Sequence, residues 1–325
     1  MRALVIDKDG SLRLREDFPK PKPGPGEVLL KPRVMGVCST DLELAKGYMG
    51  FQGVLGHEFV ADVIEAADDA GQPWLGKRVV GEINAVCGAC DLCLKGLREH
   101  CRQRTVLGIL GRDGAFAEAF TLPAANLHEV PDHVSDDEAV FTEPLAAAFQ
   151  IVRQLTIEGR PYVTVLGDGR LGLLCAQVLG QLNATVRVVG KHAEKLERAE
   201  KWNIKHRLLA DVGMRRDQDI VIDATGSPTG LPTALGMVRP RGSIVLKTTV
   251  AERAYEKPID LSPIVIDEIT VMGSRCGPFA VALEALARND VDVLSMISRR
   301  GQLAAGPELL ATASQRDVIK VLVTP

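Results

Sequence analysis

The stretch Tyr162–Gly180, YVTVLGDGRLGLLCAQVLG, leaves its part of the chain few ways to fold. A short apolar run reads as a buried strand, the glycine-rich turn Gly167-Asp168-Gly169-Arg170-Leu171-Gly172 follows, and a helix opens at once. The first glycine permits the turn, the second lets the backbone approach a pyrophosphate, and the third lets helix and strand pack closely. Unpaired amides at the helix start then face the phosphates. A second strand, TVRVVG, completes the strand–helix–strand context that such a turn needs to bind a dinucleotide. Further strand-like runs, DIVIDATG (219–226) and RGSIVLKT (241–248), alternate with helical patterning, as in a doubly wound parallel sheet.

A chain of 325 residues exceeds what one core usually supports, so a second domain is expected. From Arg2 to about Pro131 the sequence consists of short strand-like runs broken by Gly and Pro, which is the pattern of a β-rich domain. Ser135, with Glu138 three positions on, marks a helix start, helical patterning covers about Glu143 to Leu155, and AEKLERAEKW reads as another helix. Residues from about Phe279 form a helix and the closing strand VIKVLVTP. The net charge of −3 provides no basic footprint for nucleic acid or an anionic membrane, and no apolar run is long enough to span one. The partners expected are small molecules. The start, MRALVIDKDG, has no secretory pattern, so a cytoplasmic location with reduced thiols is expected.

An acidic residue ending the second strand would accept the ribose 2′-hydroxyl of NAD. Here the strand runs into Gly190-Lys191-His192, with no carboxylate and two side chains able to carry positive charge. That favours the 2′-phosphate of NADP over NAD.

Cys87, Cys90, Cys93 and Cys101 follow a Cys-x2-Cys-x2-Cys-x7-Cys spacing. Four thiolates complete a tetrahedral zinc and leave no position for substrate, so the cluster reads as a structural staple. A nucleic-acid-binding ribbon is disfavoured because no aromatic residues interleave the nearby basic ones. Chemistry needs an open metal with three protein ligands. Cys38 ends a strand, Gly56-His57-Glu58 opens another, and Glu143 lies at the seam of the two domains. Each also has a bland explanation, as a buried small hydrophobe, a turn residue and a helix-start acid.

In combination these segments resemble the zinc-dependent medium-chain dehydrogenases, the alcohol, polyol and threonine dehydrogenase group. The resemblance covers essentially the whole chain: GVCSTDL, GHE, the four-cysteine lobe, DGAFAEAFTLP, EPLA, GDGRLG, VIDATGS and GSRCGPF, in that order. It implies an α/β fold, with a GroES-like β-rich catalytic domain at about 1–150 and 276–325 around a Rossmann domain at 151–275. It further implies two zinc ions per chain, one catalytic and one structural. The catalytic zinc would be held by Cys38, His57 and a glutamate, Glu58 or Glu143. Thr40 would begin a proton relay, although it is equally placed to cap the following helix, and Glu43 stands where many relatives carry a relay histidine. Thr225 and Arg275 would face the coenzyme. The implied activity is hydride transfer between an alcohol or polyol and NADP or NAD, in a homodimer or homotetramer. A dehydrogenase with one specialised biosynthetic substrate is the enzymatic alternative, and a catalytically silent nucleotide-binding regulator the non-enzymatic one.

Overall fold

Strand Glu27–Gly36 is the spine of the first unit, because its side chains alternate so that Val28, Leu30 and Val34 are buried while Lys31 and Arg33 reach solvent. It pairs antiparallel with Glu58–Ala66 on one side. Near its end it also pairs with Lys320–Thr324, and near its start with Phe120–Pro123. Arg78–Gly81 and Leu127–Glu129 extend the sheet one way and Ile297–Gln302 the other. Phe59 and Phe120 meet edge to face across this layer, ring centroids 4.8 Å apart, and Phe116 and Phe141 are fully buried in the same unit. A small sheet of Asn84–Ala85, Thr105–Leu107 and Gly111–Arg112 carries the cysteine-bearing lobe.

The second unit is a six-stranded parallel sheet. Its strands lie in the order Lys205–Leu208, Thr185–Gly190, Tyr162–Leu166, Gln218–Asp223, Val238–Leu246, Thr270–Gly273, so chain order reverses between the first and fourth strands. That reversal opens a crevice at the carboxyl ends of the strands. Leu166, Val189, Val221 and Ile244 form a core beneath the helix Gly230–Met237, and the helix Arg170–Gly180 buries Leu173 through Leu179.

The computed structural model describes residues 1–250, 254 and 258–325. Its two compact units are Met1–Glu143 with Phe279–Pro325, and Pro144–Pro278. Two local expectations change. AEKLERAEKW is one α-helical turn, Ala193–Leu196, followed by 3-10 turns to Trp202, which stop at Asn203 in the left-handed region. Ser135 and Glu138 form a reciprocal capping box, but the helix they start is only Asp136–Ala139, and a new helix runs Thr142–Gln154. Among the described residues no helix is long and apolar enough to cross a membrane.

Candidate functional site

In the first unit, the spine strand ends at Gly36, and the chain turns through Cys38 into the helix Ser39–Ala45. Cys38 is the residue preceding the helix, in extended conformation, and its N–H donates to the Asp41 carboxylate at 2.8 Å. This corrects the capping expectation for Thr40: Asp41 reaches back to the helix start, while Thr40 lies inside the first turn with its Oγ1 3.8 Å from Cys38 Sγ. Asp41 is wholly buried, and its other oxygen lies 3.3 Å from the Gly56 N–H nitrogen and 3.3 Å from His57 Nδ1. Gly56 has φ +95°, and a side chain there would strike the Phe116 ring and backbone, so the approach of His57 to Asp41 depends on glycine.

Glu58 opens the adjacent strand, fully buried, and forms an ion pair with Lys320, itself fully buried on strand Lys320–Thr324. A Cβ at Gly36 would stand 2.5 Å from Glu58 Oε2, so the pair fills the space left by that glycine. Lys320 Nζ also lies 5.2 Å from the Phe141 ring centroid. Among the described residues, the donor atoms of Cys38, His57 and Glu58 all fall within 4.8 Å of one another. Zinc bonds of about 2.0–2.3 Å bring tetrahedral ligands to such separations, so these residues fit the metal. Glu143 is half-buried at the start of its helix and stands outside this convergent set. Burial pushes the His57 imidazolium down, but Asp41 and the Cys38 thiolate outweigh it and hold His57 well above its usual range. Burial lowers Lys320 to about 8 against the pull of Cys38 and Asp41. Glu43 is exposed and bound to Lys46 at 2.9 Å.

The four lobe cysteines come together. Sγ separations are 3.5 Å for Cys90–Cys93 and for Cys87–Cys101, and 3.8 Å for Cys90–Cys101. A disulfide would need about 2.05 Å, whereas sulfurs on a tetrahedral zinc stand about 3.8 Å apart. Their protonation diverges: backbone N–H groups of Cys93 and Arg102 draw Cys90 down to about 6, while burial and the neighbouring thiols push Cys93 up to about 12. Four cysteine sulfurs this close fit a tetrahedral zinc among them.

In the second unit, Gly167 has φ +114°, and a side chain there would run into the carbonyl of Ala224 at 2.7 Å. A Cβ on Gly172 would strike Gly167, so helix and strand close at that point. Gly169 precedes the helix Arg170–Gly180 with no side-chain cap and open space where a Cβ would be, which leaves the first amides available to an anion. These features fit a bound dinucleotide. Arg170 and Leu171 are half-buried in the first turn. Thr225 donates through N–H and hydroxyl to Asp223, whose carboxyl is raised by burial despite those bonds. Arg275 is exposed, and its carbonyl accepts from Lys247 Nζ at 3.1 Å.

The strand end differs from expectation. Gly190 does not leave room there, because a Cβ would collide with Asp168. The Asp168 carboxylate accepts the N–H groups of Lys191 and His192, each at 2.7 Å, and lies 3.0 Å from His192 Nδ1. A carboxylate therefore does stand at the end of the second strand, delivered by the glycine-rich turn rather than by the strand itself. Three other functional candidates went unread in the sequence: Asp41, Lys320 and Lys247. Asp41 had a signal, since Cys38-x-x-Asp41 has the spacing of a capping box.

Residues 24–132 match the alcohol dehydrogenase GroES-like domain and residues 171–289 the zinc-binding dehydrogenase domain. L-Threonine 3-dehydrogenase of Streptomyces avermitilis is 35% identical over 292 residues, covering 84% of this chain and 83% of that protein. A protein of Sinorhizobium meliloti 1021 assigned as a zinc-binding dehydrogenase and solved with NADP superposes with TM-score 0.87 at 28% identity, covering 100% of this chain and 99% of that one. An alcohol dehydrogenase of Escherichia coli CFT073 solved with NADH superposes with TM-score 0.88 at 26% identity, with the same coverage.

Proposed function

The chain belongs to the zinc-type medium-chain dehydrogenase family, an NAD(P)-dependent group acting on CH–OH donors, and from that premise we propose how its own residues do the work. Cys38 and His57 hold a catalytic zinc, with Glu58 as the third group in reach and Glu143 as the residue that exchanges with it. Cys87, Cys90, Cys93 and Cys101 hold a second, structural zinc. The substrate is a small alcohol or polyol.

The observation that carries this reading is the buried convergence of Cys38, His57 and Glu58, with Asp41 behind the histidine and Lys320 behind the glutamate. Bound zinc supplies Lewis acidity that makes a substrate hydroxyl easier to deprotonate, and bound nicotinamide supplies the hydride acceptor. The Asp41 carboxylate, 3.3 Å from His57 Nδ1, faces that side of the ring and so leaves Nε2 as the metal donor. Lys320 offsets one of the negative charges of the ligand set and keeps the site electrophilic. Thr40 Oγ1, 3.8 Å from Cys38 Sγ, accepts the hydrogen bond of the substrate hydroxyl at the start of a proton relay, handing on its own proton as it takes the substrate's. Gly167, Gly169 and Gly172 shape the pyrophosphate seat, Thr225, ordered by Asp223, lines its edge, and Arg275, two residues past the strand Thr270–Gly273, faces the coenzyme. A cytoplasmic setting, in which the seven cysteines stay reduced, and assembly as a homodimer or homotetramer complete the proposal from the family resemblance.

The test follows coenzyme reduction by absorbance, using zinc-replete protein, a panel of polyols, secondary alcohols and hydroxy amino acids, and Cys38→Ser alongside. Turnover abolished by Cys38→Ser while the protein keeps its fold is the expected result. Turnover that survives Cys38→Ser would refute the zinc assignment.

A further inference from the structure

We infer that Asp168, a residue of the glycine-rich turn, sets coenzyme preference toward NAD, by filling with its own carboxylate the anion seat that the 2′-phosphate of NADP would need. The inference rests on the dinucleotide reading above and adds the residue that discriminates between the two coenzymes.

With the pyrophosphate over the helix start at Gly169, the adenosine ribose lies at the end of the second strand, where its 2′-position meets Gly190, Lys191 and His192. Two successive backbone N–H groups and a histidine N–H converge there, which is a ready seat for an anion. All three converge on Asp168: Lys191 N and His192 N at 2.7 Å, His192 Nδ1 at 3.0 Å. The carboxylate is held within the protein, its side chain 10% exposed, and cannot swing away without abandoning three donors. A 2′-phosphate would have to displace it or stand beside a like charge. A ribose 2′-hydroxyl meets an acceptor instead.

Gly190 fits the same account. A Cβ there would stand 2.5 Å from Asp168 Cβ and Cγ, so glycine is what allows the turn carboxylate to reach the strand end. The sequence position that usually carries a discriminating acid is thereby emptied, and the acid comes from 22 positions earlier, at residue 168 rather than 190. Lys191, whose side chain is exposed, stays available as a phosphate partner once the seat is cleared.

The test is titration of the full-length, zinc-replete protein with NADH and with NADPH, followed by nicotinamide fluorescence, and competition by 5′-AMP against 2′,5′-ADP. The unsubstituted protein is expected to bind NADH more tightly. Asp168→Asn keeps the shape and removes the charge, and should move the NADPH-to-NADH affinity ratio toward NADPH by about tenfold, the equivalent of one modest charge interaction. Gly190→Ala, whose Cβ pushes the carboxylate off its seat while Asp168 itself is kept, should move the ratio the same way. If Asp168→Asn leaves the ratio unchanged, or weakens NADPH more than NADH, the inference is overturned, the second result making Asp168 the support of a histidine that binds phosphate. If neither reduced coenzyme nor 5′-AMP binds, the dinucleotide reading itself fails.

Discussion

Replacing Lys320 with methionine tests the charge arrangement behind the metal ligands. Lys320 and Glu58 are each 0% exposed, and each is the other's ion-pair partner. Removing the ammonium strands a carboxylate in the interior, which costs about 3–5 kcal/mol where the partner of a buried pair is lost. For a body of this size each kcal/mol lowers the midpoint of thermal unfolding by about 2–4 °C, so the expected fall is about 6–20 °C. The double variant Glu58→Gln/Lys320→Met removes both charges and should recover at least about 2 kcal/mol of that loss, because contacting residues couple by such amounts. Urea unfolding of metal-free protein, in which Lys320 is the cation facing Glu58, followed by circular dichroism for all four members of the cycle, gives the coupling directly. A Lys320→Met loss below about 1 kcal/mol, or a double variant no more stable than Lys320→Met alone, would show that Glu58 is not ionised against Lys320 and would refute the reasoning.

Asp41→Asn should lower zinc affinity at the Cys38–His57 site by about 10–100-fold, as loss of a ligand's supporting partner does, read by competition with a chromogenic chelator. Gly172→Val should abolish NADH binding with the first unit's zinc content unchanged, because a side chain there collides with Gly167; metal analysis beside coenzyme titration checks both halves. In metal-free protein His57 holds its proton above its usual range, so its stabilising pairing with Asp41 is fully present below about pH 6.5 and is lost as pH rises through the elevated value. Zinc needs the neutral imidazole, so zinc affinity should keep rising with pH beyond neutrality, with proton release measurable by calorimetry in buffers of different ionisation enthalpy; affinity flat above about pH 6.5 would contradict the shift.

Local features were readable in proportion to how local their causes are. The strand–turn–helix at Tyr162–Gly180, the capping box at Ser135 and the clustering of Cys87 to Cys101 are each decided within a few residues, where spacing and periodicity speak directly. Helix length was harder: nothing in AEKLERAEKW marks where α turns give way to 3-10 turns. Asp41 is visible in principle, three residues after Cys38, but a hydroxyl at Thr40 competes for the same capping role until the structure places it inside the first turn. Asp168 illustrates a different obstacle. Its partners lie 23 and 24 positions away, and only the close packing of turn against strand end shows that an acid missing from Gly190 is supplied from elsewhere. Lys320 was read simply as part of the closing strand, since a lysine in an apolar run has no stated partner until the sheet places it beside Glu58.

That pairing also orders events in time. The ligand-bearing residues Cys38 to Glu58 leave the ribosome early, but the cation that steadies Glu58 is encoded 262 positions downstream. Through most of synthesis the nascent chain can gather thiol, imidazole and carboxylate without the counter-charge, so the pocket stays unfinished until strand Lys320–Thr324 docks beside Glu27–Gly36. A product cut short before residue 320 would keep its early segments yet lack the cation that pairs with the buried Glu58 carboxylate.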